Sequence, residues 1–367
     1  MNDSVPLMNW QSWLPRSSPE PTPFVPPARR HLPEKRYMLQ LINEERRDAG
    51  VGEVVLGENV AAQLHAESAL ANCFSSHWGL DGLKPYMRYS LTGGYQSNGE
   101  NGHGLDYCIT NADGYQALEN IRSEIREAMS GWMLSAGHRR NILDPSHKKV
   151  NIGIAWDRYN AMMFQHFEGD YVEYAELPAI REGILSFKGS VNNDARTGFR
   201  SEFGVQIFYD APPLPLRLGQ IARTYCYDNG LKVASLREPL SGGSTWATDQ
   251  FESSYQPCPD PAAMSPALPR ASSSDEAHAL WREAYSESRA VKERTITVPW
   301  ITARRFSIGG GTFSVEADIS EVLEQHGPGV YSVIVWGQIG GTPEVISEYS
   351  IFHEIEPPPT YDLDRQP

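Results

Sequence analysis

GWMLSAGHRRNIL at residues 131–143, followed after Asp144-Pro145 by NIGIAW at 151–156 and AMMFQHF at 161–167, decides how the first part of this chain is read. Leu118, Ile121, Ile125, Met129 and Trp132 recur at every third or fourth position, so a helix is expected over about 115–135. NIGIAW and AMMFQHF are short apolar runs separated by the polar stretch Asp157-Arg158-Tyr159-Asn160, which reads as two strands joined by a short loop. A helix therefore leads into a strand pair, and its end delivers His138 just ahead of the sheet.

Working outward, Met38, Leu41 and Ile42 give residues 34–49 a helical pattern that stops at Gly50. A second helix is expected over 58–73, with Val60, Leu64 and Ala71 as its buried stripe. Residues 74–113 read as loop, with glycines at 93, 94, 99, 102 and 104. Helices flanking one sheet predict an α+β or α/β/α domain over about 35–174. Before it, the Pro-rich stretch 15–34 reads as non-helical, so 1–34 is expected to be a disordered tether. After it the helical periodicity fades. GILSFKGSV, GVQIFYD, RTITVPW, FSVEADI, VYSVIVWG and EYSIFHEI predict a β-rich, sandwich-like domain over 175–357. Within it, 256–275 reads as a loop and EAHALWREAY as a short helix, and 358–367 is expected to be a disordered tail.

The formal charge of −14 argues against a nucleic-acid partner and against acidic lipid surfaces. No window is apolar over the roughly 18 residues that a membrane span needs. The start, MNDSVPLMNWQSWLPRSS, has neither a basic n-region nor an apolar h-region, so no export signal is visible in it. Cys73 and Cys108 fall in the first domain, and Cys226 and Cys258 in the second. One bridge per domain would fit an oxidising compartment, and two pairs of buried thiols fit the sequence equally well.

Three local patterns carry the functional reading. They are Phe74-Ser75-Ser76-His77-Trp78-Gly79, then Gly99-Glu100-Asn101, and then Trp132-Met133-Leu134-Ser135-Ala136-Gly137-His138-Arg139-Arg140-Asn141. Each is weak alone. Their order and setting suggest two imidazoles and a carboxylate converging above one sheet. This order, F-S-x-H-x-G, G-E-N, W-x-x-S-x-G-H-R-x-N-I-L, then G-I-A, resembles the prokaryotic branch of the CAP superfamily. That group takes in cysteine-rich secretory proteins, insect antigen 5 and plant pathogenesis-related proteins. The resemblance covers about residues 36–170. It implies a three-layer α/β/α sandwich, an extracellular or envelope location, and a cleft lined by two His and two Glu. His77 matches the first His, Glu100 the Glu of G-E-N, and His138 the second His. The remaining Glu is replaced here by Ser135. Glu124 and Glu127 could substitute only if their helix ran along the cleft.

Three activities follow as expectations. In the first, His77 and His138 bind Zn²⁺ or another divalent cation, with Glu100 fixing an imidazole tautomer and His103 as a further candidate ligand. In the second, the site is a metal-dependent hydrolase acting on a peptide or cell-wall substrate, with Glu100 as base or Ser135 and His138 as a nucleophile–base pair. In the third, the cleft binds a lipid, glycan or protein without turnover, with Trp78, Tyr86, Met87, Tyr89 and Tyr95 as an apolar wall or simply as core. Binding without turnover is the preferred reading. Arg88, Arg139 and Arg140 are expected to pair with Asp81 or Asp144. The second domain offers no catalytic cluster and reads as a spacer or adhesion module.

Overall fold

The computed structural model describes residues 26–361 apart from 105–116, 193–194, 197–203, 222, 225, 243, most of 267–291, and 310. Its first layer is set by sequence alternation in two strands, β3 (Lys149–Trp156) and β4 (Ala161–Glu168). Val150, Ile152, Ile154, Met163 and Phe167 point to one side, where they meet α1 (Leu32–Asp48), α4 (Ile121–Leu134) and α5 (Ala136–Leu143). Ala155, Met162 and Phe164 point to the other side and meet α2 (Ala61–Asn72). One sheet with helices on both faces is a three-layer α/β/α sandwich. Its strand order is β1 (Val55–Leu56), β3, β4, β2 (Asn98–His103), which leaves β2 on an edge. α2 packs unusually close to the sheet. A Cβ placed on Gly153 would stand 1.9 Å from the Ala62 carbonyl oxygen, so only glycine admits this approach.

The companion domain is a sandwich of two sheets. One is a 4-stranded sheet ordered β12 (Arg305–Gly309), β13 (Thr312–Asp318), β6 (Ile184–Val191), β5 (Val172–Arg181). The other is 7-stranded, with β10 (Gln250–Tyr255), β11 (Arg294–Thr302), β9 (Leu231–Arg237), β8 (Val205–Asp210), β14 (Gly329–Ile339) and β15 (Thr342–His353) in that order, and β7 (Ala195–Arg196) pairing with β14. Phe187, Phe313 and Val315 from the first sheet and Val205, Val333 and Ile346 from the second share one core. β5 carries Pro178, and it does so where its register slips against β6, on an edge where a missing N–H is tolerated. Two short helices, α6 (Leu218–Ile221) and α7 (Ser320–His326), lie in its connections. Cys226 and Cys258 form a disulfide. Cys73 is also disulfide-bonded, and Cys108 lies outside the described residues. No helix among the described residues is long and apolar enough to cross a membrane.

Several expectations need correction. The stretch read as loop holds α3 (Pro85–Leu91) and β2. α3 is buried all round and so shows no amphipathic stripe, while β2 (NGENGH) lacks strand-forming residues and owes its conformation to pairing with β4. His138 lies inside α5, not in a loop after the Trp132 helix. The segment read as tether turns helical at Pro27–Arg29 and enters α1 at Leu32, because proline is tolerated in a first helical turn. The tail read as disordered from 358 instead forms a 3-10 turn, Pro359–Tyr361, and buries Tyr361 beside Val60, Leu64 and Tyr86. The helix expected over EAHALWREAY falls mostly outside the described residues.

The two domains meet through α3 and the segment Tyr95–Ser97, which lies along β15. Gln96 forms a bridge with Ser347, and the Glu348 amide donates to the Tyr95 carbonyl at 3.3 Å. This covers a strand edge that would otherwise present unpaired backbone groups. Lys84 is buried in the same junction and bonds Asp210 at 2.7 Å and Asp228 at 2.6 Å. Glu348 accepts from Asn98 at 3.0 Å and from Asn229 at 2.9 Å, and burial pushes its carboxyl up to about 8. The folded chain thus keeps a proton there that an unfolded chain releases near the ordinary glutamate value. The contribution of this residue to stability therefore falls as pH rises between those two values. Glu348→Gln is expected to flatten the loss, with a gain on the order of a few kcal/mol at pH 8 and little at pH 4.5. Thermal melts of both proteins across pH 4.5–8.5 check this, and a constant gap between them would contradict it.

Candidate functional site

The site is organised by Arg88, which α3 carries into the interior. Its guanidinium donates to the His77 carbonyl at 2.8 Å and the Leu83 carbonyl at 2.9 Å, and to both oxygens of Glu100 at 3.3 and 3.1 Å. Both side chains of this ion pair are wholly buried. The expected pairing of Arg88 with Asp81 or Asp144 does not occur. Asp81 accepts from the Leu83 amide and Asp144 from Ser146, each closing its own turn, while Arg139 caps the Met133 carbonyl.

Glu100 sits on β2, directly opposite His166 on β4. Burial alone would push its carboxyl up. The Arg88 guanidinium, followed by the nearby His166 imidazole and the hydrogen bond from His77, holds it well below the usual carboxylate range. His77 approaches from the turn after α2, and its Nδ1 lies 2.9 Å from Glu100 Oε1. With Nδ1 committed to the carboxylate, the other ring nitrogen, Nε2, has no protein partner among the described residues. His77 keeps 17% of its side chain exposed, so that nitrogen is within reach of a ligand.

The outer edge of β2 is closed by the remaining motif residues. The Trp132 indole donates to the Gly102 carbonyl at 2.9 Å, and Asn141 donates to the Glu100 carbonyl at 3.4 Å and to Asn101 Oδ1 at 2.9 Å. Asn101 in turn donates to the His138 carbonyl at 3.2 Å. This lattice seats α5 across the sheet edge. Burial, followed by the charges of His77 and then His103, pushes the His138 imidazole down to about 4. Three imidazoles therefore share one electrostatic neighbourhood, and His138 is neutral at physiological pH. His103 stands edge-on to Trp132 at 5.9 Å. Burial lowers its pKa, against the pull of the Glu127 charge. Glu124, whose carboxyl is raised by burial and then by Glu127, makes no described contact with these imidazoles.

Ser135 lies at the joint between α4 and α5. Its amide donates to the Gly131 and Trp132 carbonyls, and its side chain neither caps α5 nor bonds His138. The aromatics offered as an apolar wall are core instead. Tyr86, Met87 and Tyr89 are each 1% exposed, and Tyr95 and Trp78 face the companion domain, against Tyr174 and the Cys226 carbonyl.

The family model described as CAP, the cysteine-rich secretory protein family, matches residues 39–167. The chain carries a CAP domain. A solved structure similar to the chain is that of an extracellular protein containing an SCP domain from Bacillus anthracis str. Ames. It is 20% identical, with a TM-score of 0.29, and the match covers 37% of this chain and 41% of that one, so the chain spans about two-fifths of its length. No curated protein matches the sequence.

Residue-level reading missed three groups of this CAP site. His166 follows the alternation of AMMFQHF, which puts it on the same face as Met162 and Phe164, but nothing in the sequence pairs it with Glu100. His65 lies between Phe74 and Phe164 with its Nε2 on the Ser76 carbonyl, and burial, then Arg88, pushes it down to about 3. Tyr227 comes from the companion domain and stands edge-on to His77 at 5.2 Å.

Removing one member of a buried ion pair strands the other. Arg88→Met and Glu100→Gln are each expected to cost about 3–5 kcal/mol. The Arg88→Met/Glu100→Gln double variant should lose clearly less than the sum. Urea unfolding of all four proteins gives the coupling, and strict additivity would remove Arg88 from the centre of the site.

Proposed function

We propose that this chain works outside the cytoplasm as a binding protein without turnover, using the His77–His138 face of its CAP domain. The observation that carries this is the 2.9 Å contact between His77 Nδ1 and Glu100. A carboxylate on one ring nitrogen fixes the tautomer and directs the lone pair of the other outward, which is the arrangement of a metal-ligating or hydrogen-bond-accepting histidine. The disulfides at Cys226–Cys258 and at Cys73 support an oxidising compartment.

A divalent cation such as zinc would be held by His77 and His138, with a bound ion supplying an electrophilic contact for a ligand's oxygen or nitrogen donor. Glu100 is a poor third ligand because Arg88 and His77 already occupy its oxygens. Among the described residues no group of three or more His, Cys, Asp or Glu side chains is placed to hold a metal. Two imidazoles alone bind weakly, so the ligand itself supplies the remaining donors, as a glycan or a protein carboxylate can. A lipid chain fits less well, since Tyr86 and Tyr89, two of the aromatic residues that would have lined its path, are core.

The hydrolase reading loses support on two counts. Glu100 is held in its charged form by Arg88, which makes it a weak proton acceptor. Ser135 has no hydrogen bond to His138, so no base activates its hydroxyl among the described residues.

Zinc titration of the full chain by calorimetry is expected to give a weak saturable isotherm that is lost in His77→Ala. Glu100→Gln, which removes the charge on the carboxylate behind the imidazole, should weaken it by about 10–100-fold. Indistinguishable curves for wild type and His77→Ala would end the reading.

A further inference from the structure

The companion domain does not merely follow the CAP domain. Its residues Thr224 and Cys226 to Asp228 lie along the residues that carry His77. The carbonyls of residues 224, 226 and 228 alternate, and each accepts from the CAP side: Ser76 Oγ donates to Thr224 at 3.0 Å, the Trp78 indole to Cys226 at 2.9 Å, and Lys84 to Asp228 at 2.9 Å. The segment is tied down twice more. Cys226 is bridged to Cys258, and Asp228 accepts from Lys84 at 2.6 Å and from the Cys258 amide at 2.7 Å. Held this way, the Tyr227 ring stands in a T-shaped arrangement with the His77 imidazole, centroids 5.2 Å apart. Tyr227 thus reaches the histidine of the candidate site from a different domain.

We infer that Tyr227 is a specificity-determining residue of the His77 site, and that the companion domain walls that site on one side. The ring stands beside the imidazole and so closes one direction of approach to His77. The site consequently takes small or narrow polar ligands, and broad ligands that would lie across His77 are kept out. This rests on the proposal that the His77 face is the binding face, but its test uses no ligand and can succeed or fail by itself.

The test is carbethoxylation of individual histidines in the full chain by diethyl pyrocarbonate, followed by peptide mass spectrometry. Tyr227→Ala is expected to speed modification of His77 several-fold, because losing the ring opens a further direction of approach to an imidazole that is already partly exposed. Tyr227→Phe, which keeps the ring, should react as wild type does. His138 serves as the neighbouring reference and should change little. His65 and His166, both fully buried, report general loosening and should stay unreactive. Should Tyr227→Ala not accumulate as folded protein, Asp228→Asn loosens the same segment and should raise His77 reactivity alone. Equal His77 rates in wild type and variant would overturn the inference, and so would an acceleration shared by His65 and His166.

Discussion

Arg88 and Glu100 form an ion pair with no exposed surface, and most of what lies around them is there because of it. Taking two charges out of water costs several kcal/mol per ion unless further hydrogen bonds satisfy what remains. Here the guanidinium finds two backbone carbonyls besides the carboxylate, and the carboxylate finds His77 besides the guanidinium. The carbonyls belong to His77 and Leu83, the two ends of the turn between α2 and α3. The pair therefore folds that turn onto β2 as it satisfies itself, and His77 is positioned through its backbone as well as its ring. A histidine held at both points keeps one orientation, and that is what a binding imidazole requires.

The edge position of β2 explains the rest of the motif. An edge strand carries unpaired carbonyls, and Trp132 and Asn141 satisfy those of Gly102 and Glu100. Trp132 ends α4 and Asn141 lies in α5, so closing the edge fixes the angle between the two helices. His138 lies between them in sequence, and its backbone carbonyl is held by Asn101 of β2. Gly-Glu-Asn and Trp…Gly-His-Arg-Arg-Asn are thus two halves of one sheet edge.

Much of this was legible in the sequence, and the losses have physical causes. Strong periodicity found α1, α2, α4, β3 and β4, and the order of three motifs found the α/β/α arrangement and drew His77 and Glu100 together. α3 escaped because a helix buried on every side shows no stripe, and β2 because its conformation is imposed by β4. Arg88 escaped for a related reason: an arginine beside Asp81 in sequence pairs by default with the nearest carboxylate, and only the fold brings Glu100 closer. In the companion domain, β5 and β9 were hidden by charged residues that a half-exposed strand tolerates. No sequence pattern could have placed Tyr227 beside His77, since their contact spans two domains.

That contact bears on how a CAP cleft should be read when a second domain follows it. The junction consumes α3, the Tyr95–Ser97 segment and the aromatic face between them. Any surface that an isolated domain would offer there is unavailable in this chain. On the binding reading proposed above, the face left for a ligand is that of His77 and His138. Its donors are ring nitrogens, and its flank is set by Tyr227 from the other domain. Selectivity in such a site arises from exclusion as much as from attraction, because a rigid neighbour that removes approach directions discriminates between ligands without contributing binding energy to any of them. The sandwich domain, which by itself shows no catalytic cluster among its described residues, acts on the site through the placement of one side chain.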